Sequence, residues 1–234
     1  MTFSGTYTVR AVFRQEHETA LVSAYLPEKG FFVEVGAFYP HYLSQTWRLE
    51  EAGWDGLLVE PIPEHAEALR RNRRARVYEV ACGSYEHHGT SLPINVRGGL
   101  SSFVYGSGAS IDVRVVTLDW VLADAKVANL DFLSIDVEGW EIQVLRGFSL
   151  SRYRPKLILL EDFAEGQERH RYMVAAGYKR VRRTGDNSWY IPTGSPFRLS
   201  LFGRWQLLRK YYLSLPVRHM KRFLLKLRNR PSNS

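Results

Sequence analysis

The chain has 234 residues, of which 45% are hydrophobic and 13% are aromatic. This composition can bury one sizeable core and one appendage, but hardly two full domains. The single cysteine, Cys82, excludes an internal disulfide, and no stretch reaches the roughly 18 uninterrupted apolar residues of a membrane-spanning helix. Residues 1–10 lack the pattern of a signal peptide. We therefore expect a reducing, cytoplasmic setting.

The formal charge of +8 is concentrated towards the carboxyl end of the chain. Residues 196–234 carry ten Lys or Arg and no Asp or Glu, which leaves residues 1–195 with a net charge of −2. A Pro/Gly cluster around residue 194 supplies the breakers of a linker. We therefore predict an N-terminal extension over 1–30, one α/β domain over 31–195 and a basic tail over 196–234.

Short apolar or β-branched runs alternate with helical periodicity between residues 31 and 192, the pattern of βαβ units around a largely parallel sheet. The predicted strands are 31–35, 56–60, 76–80, 131–137 and 155–161. The predicted helices are 41–52, 63–72, 117–125, 138–148 and 166–176. An antiparallel pair, 178–182 and 188–191, closes the predicted sheet at seven strands, because the turn between them is rich in Gly, Asp and Asn.

The first two predicted strands each end in an acidic residue. Glu34 precedes Gly36, and Glu60 ends the second strand 24 residues after that glycine. Ligands of open α/β sheets bind beyond the carboxyl ends of the strands, where glycine permits close approach and a carboxylate accepts ribose hydroxyls. These residues are therefore candidates for binding a nucleotide-like cofactor. The alternatives are an ordinary turn after Glu34 and a helix-terminal role for Glu60 before Pro61.

Carboxylates also end two later predicted strands, at Asp136 and Glu161. If these ends are adjacent, their charges raise at least one carboxyl pKa unless a cation compensates. The residues can act as a general base for a hydroxyl or as ligands for a hard cation. Glu138 and Glu141, spaced i and i+3, are catalytic candidates or favourable charges at a helix N-terminus.

Several other polar features carry weaker signals. Four histidines without ligand spacing are interpreted as surface or loop residues: His41, His65, His87 and His88. The loop 98–103 either covers a ligand or simply connects two elements. The arginines within 70–76 either complement a helix dipole or bind nucleic acid, and we favour the dipole.

The ordered set of motifs within residues 31–162 resembles the FkbM methyltransferase family. They are Phe32-Val33-Glu34-Val35-Gly36-Ala37, Leu43-Ser44-Gln45-Thr46, Leu49-Glu50, Gly53-Trp54-Asp55-Gly56-Leu57-Leu58-Val59-Glu60-Pro61, Asn72-Arg73, Thr117-Leu118-Asp119 and Ser134-Ile135-Asp136-Val137-Glu138-Gly139-Trp140-Glu141. The resemblance implies a Rossmann-like class I methyltransferase fold for 31–195, S-adenosylmethionine as methyl donor, and an oxygen nucleophile, often a hydroxyl on a sugar or polyketide.

The resemblance also implies roles for residues at the first strand ends. It places Glu34, Gly36 and Ala37 near the methionine part of the donor, Glu60 and Pro61 on the ribose, and Ala81 and Cys82 beside the adenine. Members of this family usually continue Gly-Ala with a polar residue and a second glycine, where this chain has Phe38-Tyr39-Pro40. Asp136 is the predicted base, and Glu161 assists it or holds a divalent cation.

The basic tail shows helical amphipathicity over 197–230. Apolar residues recur at spacings of four and three on one predicted face: Leu213, Val217, Met220, Leu224 and Leu227. This face either lies on an anionic membrane, with the protein peripheral on its inner surface, or packs on the domain or a homodimer partner.

We predict an O-methyltransferase acting on a hydroxyl of a sugar, glycan or lipid-linked saccharide. The alternative is a noncatalytic methyltransferase-like module that docks on membranes or polyanions through the tail.

Overall fold

The computed structural model of the protein describes residues 21–22, 25–26, 28–96, 103, 109–162, 167–197, 199, 201–213, 216 and 220. The strands are β1 (Phe31–Val35), β2 (Asp55–Val59), β3 (Arg76–Tyr78), β4 (Ala81–Cys82), β5 (Ser91–Asn95), β6 (Ser110–Val116), β7 (Phe132–Ile135), β8 (Leu157–Glu161), β9 (Tyr178–Thr184) and β10 (Asn187–Pro192). The α-helices are α1 (Trp47–Glu51), α2 (Pro63–Asn72), α3 (Leu118–Asp124), α4 (Glu141–Arg146), α5 (Leu150–Tyr153), α6 (Glu168–Ala175) and α7 (Leu201–Leu207). A short 3₁₀ helix covers Tyr85–His87, and a π-helical segment, Leu208–Leu213, follows α7.

The main sheet has seven strands in the order β3-β2-β1-β7-β8-β10-β9. β1 pairs in parallel with both β2 and β7, and β7 pairs in parallel with β8. β10 is antiparallel to both of its neighbours. The order reverses between β1 and β7, which is the switch point where sheets of this type bind ligands. The predicted fold class, an α/β Rossmann-like fold with a mostly parallel seven-stranded sheet, is confirmed.

Both faces of this sheet are covered, so its central strands are continuous apolar runs. Val33 lies beside Leu57 and Leu133 in the strand register, and all three belong to one hydrophobic core. Their neighbours along the strands, such as Phe32 and Leu58, point to the opposite face and form a second core. Leu21, Val22 and Leu26, from the predicted N-terminal extension, are buried in this second core.

A small second sheet, β4-β6-β5, adjoins the first. This sheet was not predicted, because β4 has only two residues and the other two strands are partly exposed. Ile62, Ala81 and Val115 share a third hydrophobic cluster at this sheet. The small sheet therefore forms one wall beside the carboxyl end of β2.

Two predicted helices begin later than expected. The predicted helix 41–52 is wrong in its first half, because Glu34 binds the backbone and side chains of residues 44–46 and holds them as a loop, so that α1 starts at Trp47. The predicted helix 138–148 begins only at Glu141. Glu138 and Gly139 have φ of +52° and +100°, in the left-handed region that an α-helix cannot use.

Residues 201–213 of the tail are helical, with α7 followed by the π-helical segment. Leu213 and Met220 of the predicted apolar stripe are exposed, whereas Val217, Leu224 and Leu227 lie outside the described residues. None of the helices within the described residues is long and apolar enough to cross a membrane. β10 ends at Pro192, and the domain boundary at 195 stays a prediction.

Candidate active site

A cleft lies at the carboxyl ends of β1, β2, β7 and β8 and borders the small sheet. Eight of the nine predicted site residues line it: Gly36, Ala37, Glu60, Pro61, Ala81, Cys82, Asp136 and Glu161. Parallel strands carry their carboxyl ends to the same edge, which is why residues up to 125 positions apart in sequence meet here. Their meeting in one cleft is observed, and their individual roles stay predictions.

Glu34 is the predicted site residue that does not line the cleft. Its buried carboxylate accepts hydrogen bonds from the Ser44 and Thr46 hydroxyls and, at 2.6 Å, from the Gln45 backbone N–H. The buried Arg73 guanidinium lies beyond them and donates to the same two hydroxyl oxygens. Burial raises the pKa of Glu34, and the charge of Arg73 acts against that rise. This geometry supports a role for Glu34 in holding the loop after β1 rather than in touching a cofactor.

Glu60 is fixed at the cleft by the backbone. Its Oε2 accepts a hydrogen bond from the Phe38 N–H and its Oε1 from the Ile62 N–H, both at 2.9 Å. The His65 ring nitrogen Nδ1 lies 3.6 Å from Oε1. Each carboxylate oxygen offers two lone pairs, so one on each remains for a ligand after the backbone bonds are made. Glu60 therefore presents a pair of acceptors in a fixed orientation.

Gly36 is required by the fold in a way that the sequence did not reveal. Its φ is +84°, and a Cβ added there would lie 1.9 Å from the carbonyl oxygen of Asp136. Its N–H and that of Ala37 both donate to the Val59 carbonyl. The missing side chain thus lets the ends of β1 and β7 pass each other, whereas we had expected it to give room to a ligand.

Phe38-Tyr39-Pro40, the segment that follows Gly36-Ala37, contributes to a cluster of aromatic rings at the cleft, which we name the aromatic corner. Phe38 adopts φ +53°, and its ring lies 4.1 Å from Tyr39 and 4.7 Å from His65 between centroids. Phe38 and His65 line the cleft. The prediction that His65 is a surface or loop residue is wrong, because it is buried on α2 beside Glu60. Its spacing in the sequence carries no signal for this, since its neighbours come from β1 and β2.

An acidic cluster, Asp136, Glu138 and Glu161, occupies the cleft beside the switch point. One oxygen of each carboxylate lies within 4.8 Å of the other two. Burial raises the pKa of Glu138 to about 7, with the negative charges of Asp136, Glu141 and Asp186 adding to the effect. Burial also raises the pKa of Glu161 strongly, followed by the charges of its acidic neighbours and a hydrogen bond with Asp136. Each of these effects disfavours the ionised form of Glu161 as long as no positive charge enters the cluster.

Glu138 joins this cluster because its neighbours fix its loop. The buried Glu141 carboxylate accepts hydrogen bonds from the Gly139 N–H at 2.8 Å and from the Val137 N–H at 3.4 Å. Arg169 pairs with the other oxygen of Glu141. Of the two roles considered for these glutamates, the geometry supports a loop-holding role for Glu141 and a place in the cleft for Glu138. The left-handed conformation at Glu138 is what turns its side chain away from the helix.

A second group of aromatic residues lines the cleft around Trp140. Trp140 lies 4.9 Å from Phe103 and 5.3 Å from His87 between ring centroids, and both Trp140 and Phe103 line the cleft. The buried indole Nε1 of Trp140 has no hydrogen-bond partner. Phe103 is the one described residue of the predicted loop 98–103, and the rest of that loop lies outside the described residues. Trp140 was not among the predicted site residues.

The arginines of 70–76 are already paired with carboxylates. The pairs are Arg70–Glu79, Arg71–Glu67, Arg73–Glu50, Arg74–Glu50 and Arg76–Asp124. Paired in this way, the cluster presents little unbalanced positive charge to a polyanion. These ion pairs give the arginines a structural role, and the expectation that the chain does not bind nucleic acid stays a prediction.

Comparison with known proteins identifies a family that agrees with this architecture. The family profile described as the methyltransferase FkbM domain matches residues 34–180. The matched region begins in β1 and ends in β9, so it contains the acidic cluster and all the residues that line the cleft. No curated protein sequence matches the chain.

Proposed function

Because the chain belongs to the FkbM methyltransferase family, we propose that it transfers a methyl group from S-adenosylmethionine to a hydroxyl oxygen of a sugar, glycan or lipid-linked saccharide. One observation carries the proposal. The acidic cluster opens into the same cleft as Glu60 and the end of β1, so a donor and an acceptor can meet at the switch point.

Glu60 supports the donor half of the proposal. A ribose presents two neighbouring hydroxyls, and the two oxygens of Glu60 each keep a lone pair directed away from their backbone donors. Ala81 and Cys82 line the cleft next to the end of β2 and are the proposed contacts of the adenine. S-adenosylmethionine, when bound, supplies a methyl group that its sulfonium charge already activates.

Asp136 is the proposed base for the acceptor. As the new O–CH₃ bond forms, the hydroxyl O–H bond breaks and its proton passes to Asp136, while the electron pair of the broken S–CH₃ bond remains on sulfur. The hydrogen bond from Glu161 orients Asp136, and Glu138, whose pKa is raised to about 7, is a second proton acceptor at the cleft. The chain supplies alignment and charge placement, since the methyl group needs no further activation.

The walls of the cleft favour a saccharide as the acceptor. A sugar ring has apolar C–H faces and a polar rim of hydroxyls. Trp140 and Phe103 offer flat apolar surfaces, whereas the acidic cluster offers acceptors for hydroxyls. The free indole N–H of Trp140 adds a donor for a ring or hydroxyl oxygen.

Isothermal titration with S-adenosylmethionine tests the donor half. Glu60→Gln keeps one acceptor oxygen and should weaken binding on the order of ten- to a hundredfold, the effect of losing a charge-assisted hydrogen bond. Glu64→Gln, at an exposed carboxylate in the first turn of α2, is the matched control and should bind normally. A well-folded wild-type protein that does not bind S-adenosylmethionine would overturn the proposal and favour the noncatalytic alternative.

Turnover with labelled donor and a panel of glycan and lipid-linked acceptors tests the acceptor half. Asp136→Asn keeps the shape of the side chain but cannot take the proton, so it should reduce turnover about 10²–10⁴-fold while donor binding persists. Methylation of a nitrogen or carbon rather than an oxygen in the product would refute the O-methyl assignment.

A second observation supports docking on an anionic membrane. We give the name tail surface to the exposed apolar residues Leu201, Phe202 and Trp205 of α7 together with Leu208, the first residue of the π-helical segment. Leu201 is 83% exposed and Phe202 65% exposed, while Gln206 and Leu207 are half-buried on the side towards β9. Arg204 and Arg209 flank the face, and residues 196–234 contain no acidic residue. An apolar face rimmed by cations fits a negatively charged lipid surface, where each cation contributes about 1 kcal/mol.

Liposome sedimentation of the full chain tests this docking. Trp205→Glu should abolish pelleting with phosphatidylserine vesicles, and wild-type pelleting should fall as salt rises. Val174→Glu is the matched control, because Val174 on α6 is an exposed apolar residue with the same 51% exposure as Trp205. Pelleting that is equal in the two variants, or wild-type binding to neutral vesicles alone, would refute the tail surface as a membrane contact.

A further inference from the structure

We propose that the acidic cluster is a binding site for one hard divalent cation of the Mg²⁺ or Mn²⁺ type. The three carboxylates come from separate points of the fold: Asp136 from the end of β7, Glu138 from the left-handed turn before α4, and Glu161 from the end of β8. One oxygen of each lies within 4.8 Å of the other two, so small side-chain rotations bring all three onto one ion.

Glu161 provides an independent observation that points to a ligand. Its side chain is only 8% exposed, it lines the cleft, and its Oε2 is buried without a hydrogen-bond partner. An unpaired polar atom at such a position costs free energy that a ligand can recover. The charges that act on Glu161, those of Asp136, Glu138 and Glu141, are all negative. A positively charged ligand satisfies both the free oxygen and this field.

The donor atoms indicate which ion fits. Carboxylate oxygens are hard ligands that suit Mg²⁺ and Mn²⁺, whereas Zn²⁺ sites are usually built from Cys and His. Mg²⁺ typically takes one or a few carboxylates and fills its remaining positions with water or substrate oxygens. The cluster faces the cleft, so those remaining positions are accessible to a hydroxyl of the acceptor.

Glu141 and Arg169 fix the position of the turn that carries Glu138, one of the three proposed ligands of the cation. Glu141 holds the Val137 and Gly139 N–H groups and is itself held by Arg169, so the turn that carries Glu138 is fixed from behind. This role of the ion rests on the proposed function. The ion would coordinate the oxygen of the acceptor hydroxyl and offset the negative charge that develops when the hydroxyl loses its proton. It would thereby select acceptors that present a hydroxyl to the ion at the switch point.

Calorimetric titration of the chelator-treated full chain with Mn²⁺, and separately with Mg²⁺, tests the site without donor or acceptor. We expect one site per chain and a rise in melting temperature on adding the metal. Asp136→Asn and Glu161→Gln should each weaken Mn²⁺ binding by about tenfold or more and abolish the rise. Asp112→Asn, which removes an exposed carboxylate on β6, is the control and should bind like the wild type.

The melting temperature without metal separates lost binding from lost folding. Glu161→Gln removes a carboxyl group from a crowded acidic site, so its metal-free protein should melt no lower than the wild type. Absence of any thermal shift at millimolar Mg²⁺ or Mn²⁺, or unchanged Mn²⁺ affinity in Glu161→Gln, would overturn the cation site. S-adenosylmethionine binding is measured independently through Glu60, so a chain that binds the donor but no metal refutes this inference and leaves the proposed function intact.

Discussion

Replacing Gly36 by alanine should destabilise the protein more than the same replacement at a left-handed glycine that has open space around it. An alanine at φ +84° costs about 1–2 kcal/mol for the backbone conformation alone. Its Cβ would also lie 1.9 Å from the Asp136 carbonyl oxygen, so the ends of β1 and β7 must separate. Overpacking of this kind typically adds about 1–3 kcal/mol, and backbone atoms can yield less than side chains. We expect a total loss of about 2–5 kcal/mol in the free energy of unfolding.

Gly89 and Gly177 provide controls that isolate the contact from the conformation. Their φ values are +82° and +81°, and a Cβ at either would meet nothing within 4 Å. Urea unfolding of the Gly→Ala variants at all three positions should show the conformational cost at Gly89 and Gly177 and a clearly larger loss at Gly36. Equal losses at the three sites would refute the close-approach argument. A Gly36 variant that folds like the controls but no longer binds S-adenosylmethionine would restore the ligand-approach explanation.

Three further predictions concern buried groups. Because burial raises the pKa of Cys82 to about 12 from 9.0, its thiolate fraction at pH 8 is roughly a thousandfold lower than that of a free thiol, and labelling by a disulfide reagent should be very slow until urea unfolds the chain. Arg73→Met should lower the free energy of unfolding by about 3–5 kcal/mol in urea denaturation, because it leaves buried carboxylates unpaired. Arg71→Met removes an exposed ion pair and is the control, which should change the free energy of unfolding by less than about 0.5 kcal/mol. Burial lowers the pKa of His170 to about 4 from 6.5, so its stabilising contribution is present above pH 6.5 and disappears as the pH falls towards 4; an imidazole NMR titration with its midpoint near 6.5 would contradict this.

The class of fold and the edge of the sheet that carries the cleft were predictable from local sequence patterns. Apolar runs that end in acidic residues are local patterns, and parallel pairing brings their carboxyl ends to one edge whatever the details of packing. Glu60, Asp136 and Glu161 could therefore be assigned to one site before any coordinates were known. The compositional break before residue 196 likewise separated the basic tail, because charge is additive along the chain.

The partners of each polar side chain became visible only in the folded structure. Glu34 occupies a strand end as Glu60 does, but Arg73 and the loop 44–46 enclose it, and these partners come from distant segments. Glu138 reaches the cleft because its backbone is left-handed, and the neighbouring sequence gives no signal that predicts this conformation. Periodicity reports which face of an element is buried, whereas the direction of a side chain and its partners depend on backbone dihedral angles and strand register. For that reason the location of the site was predictable, and the division between residues that hold the loops and residues that face the cleft was not.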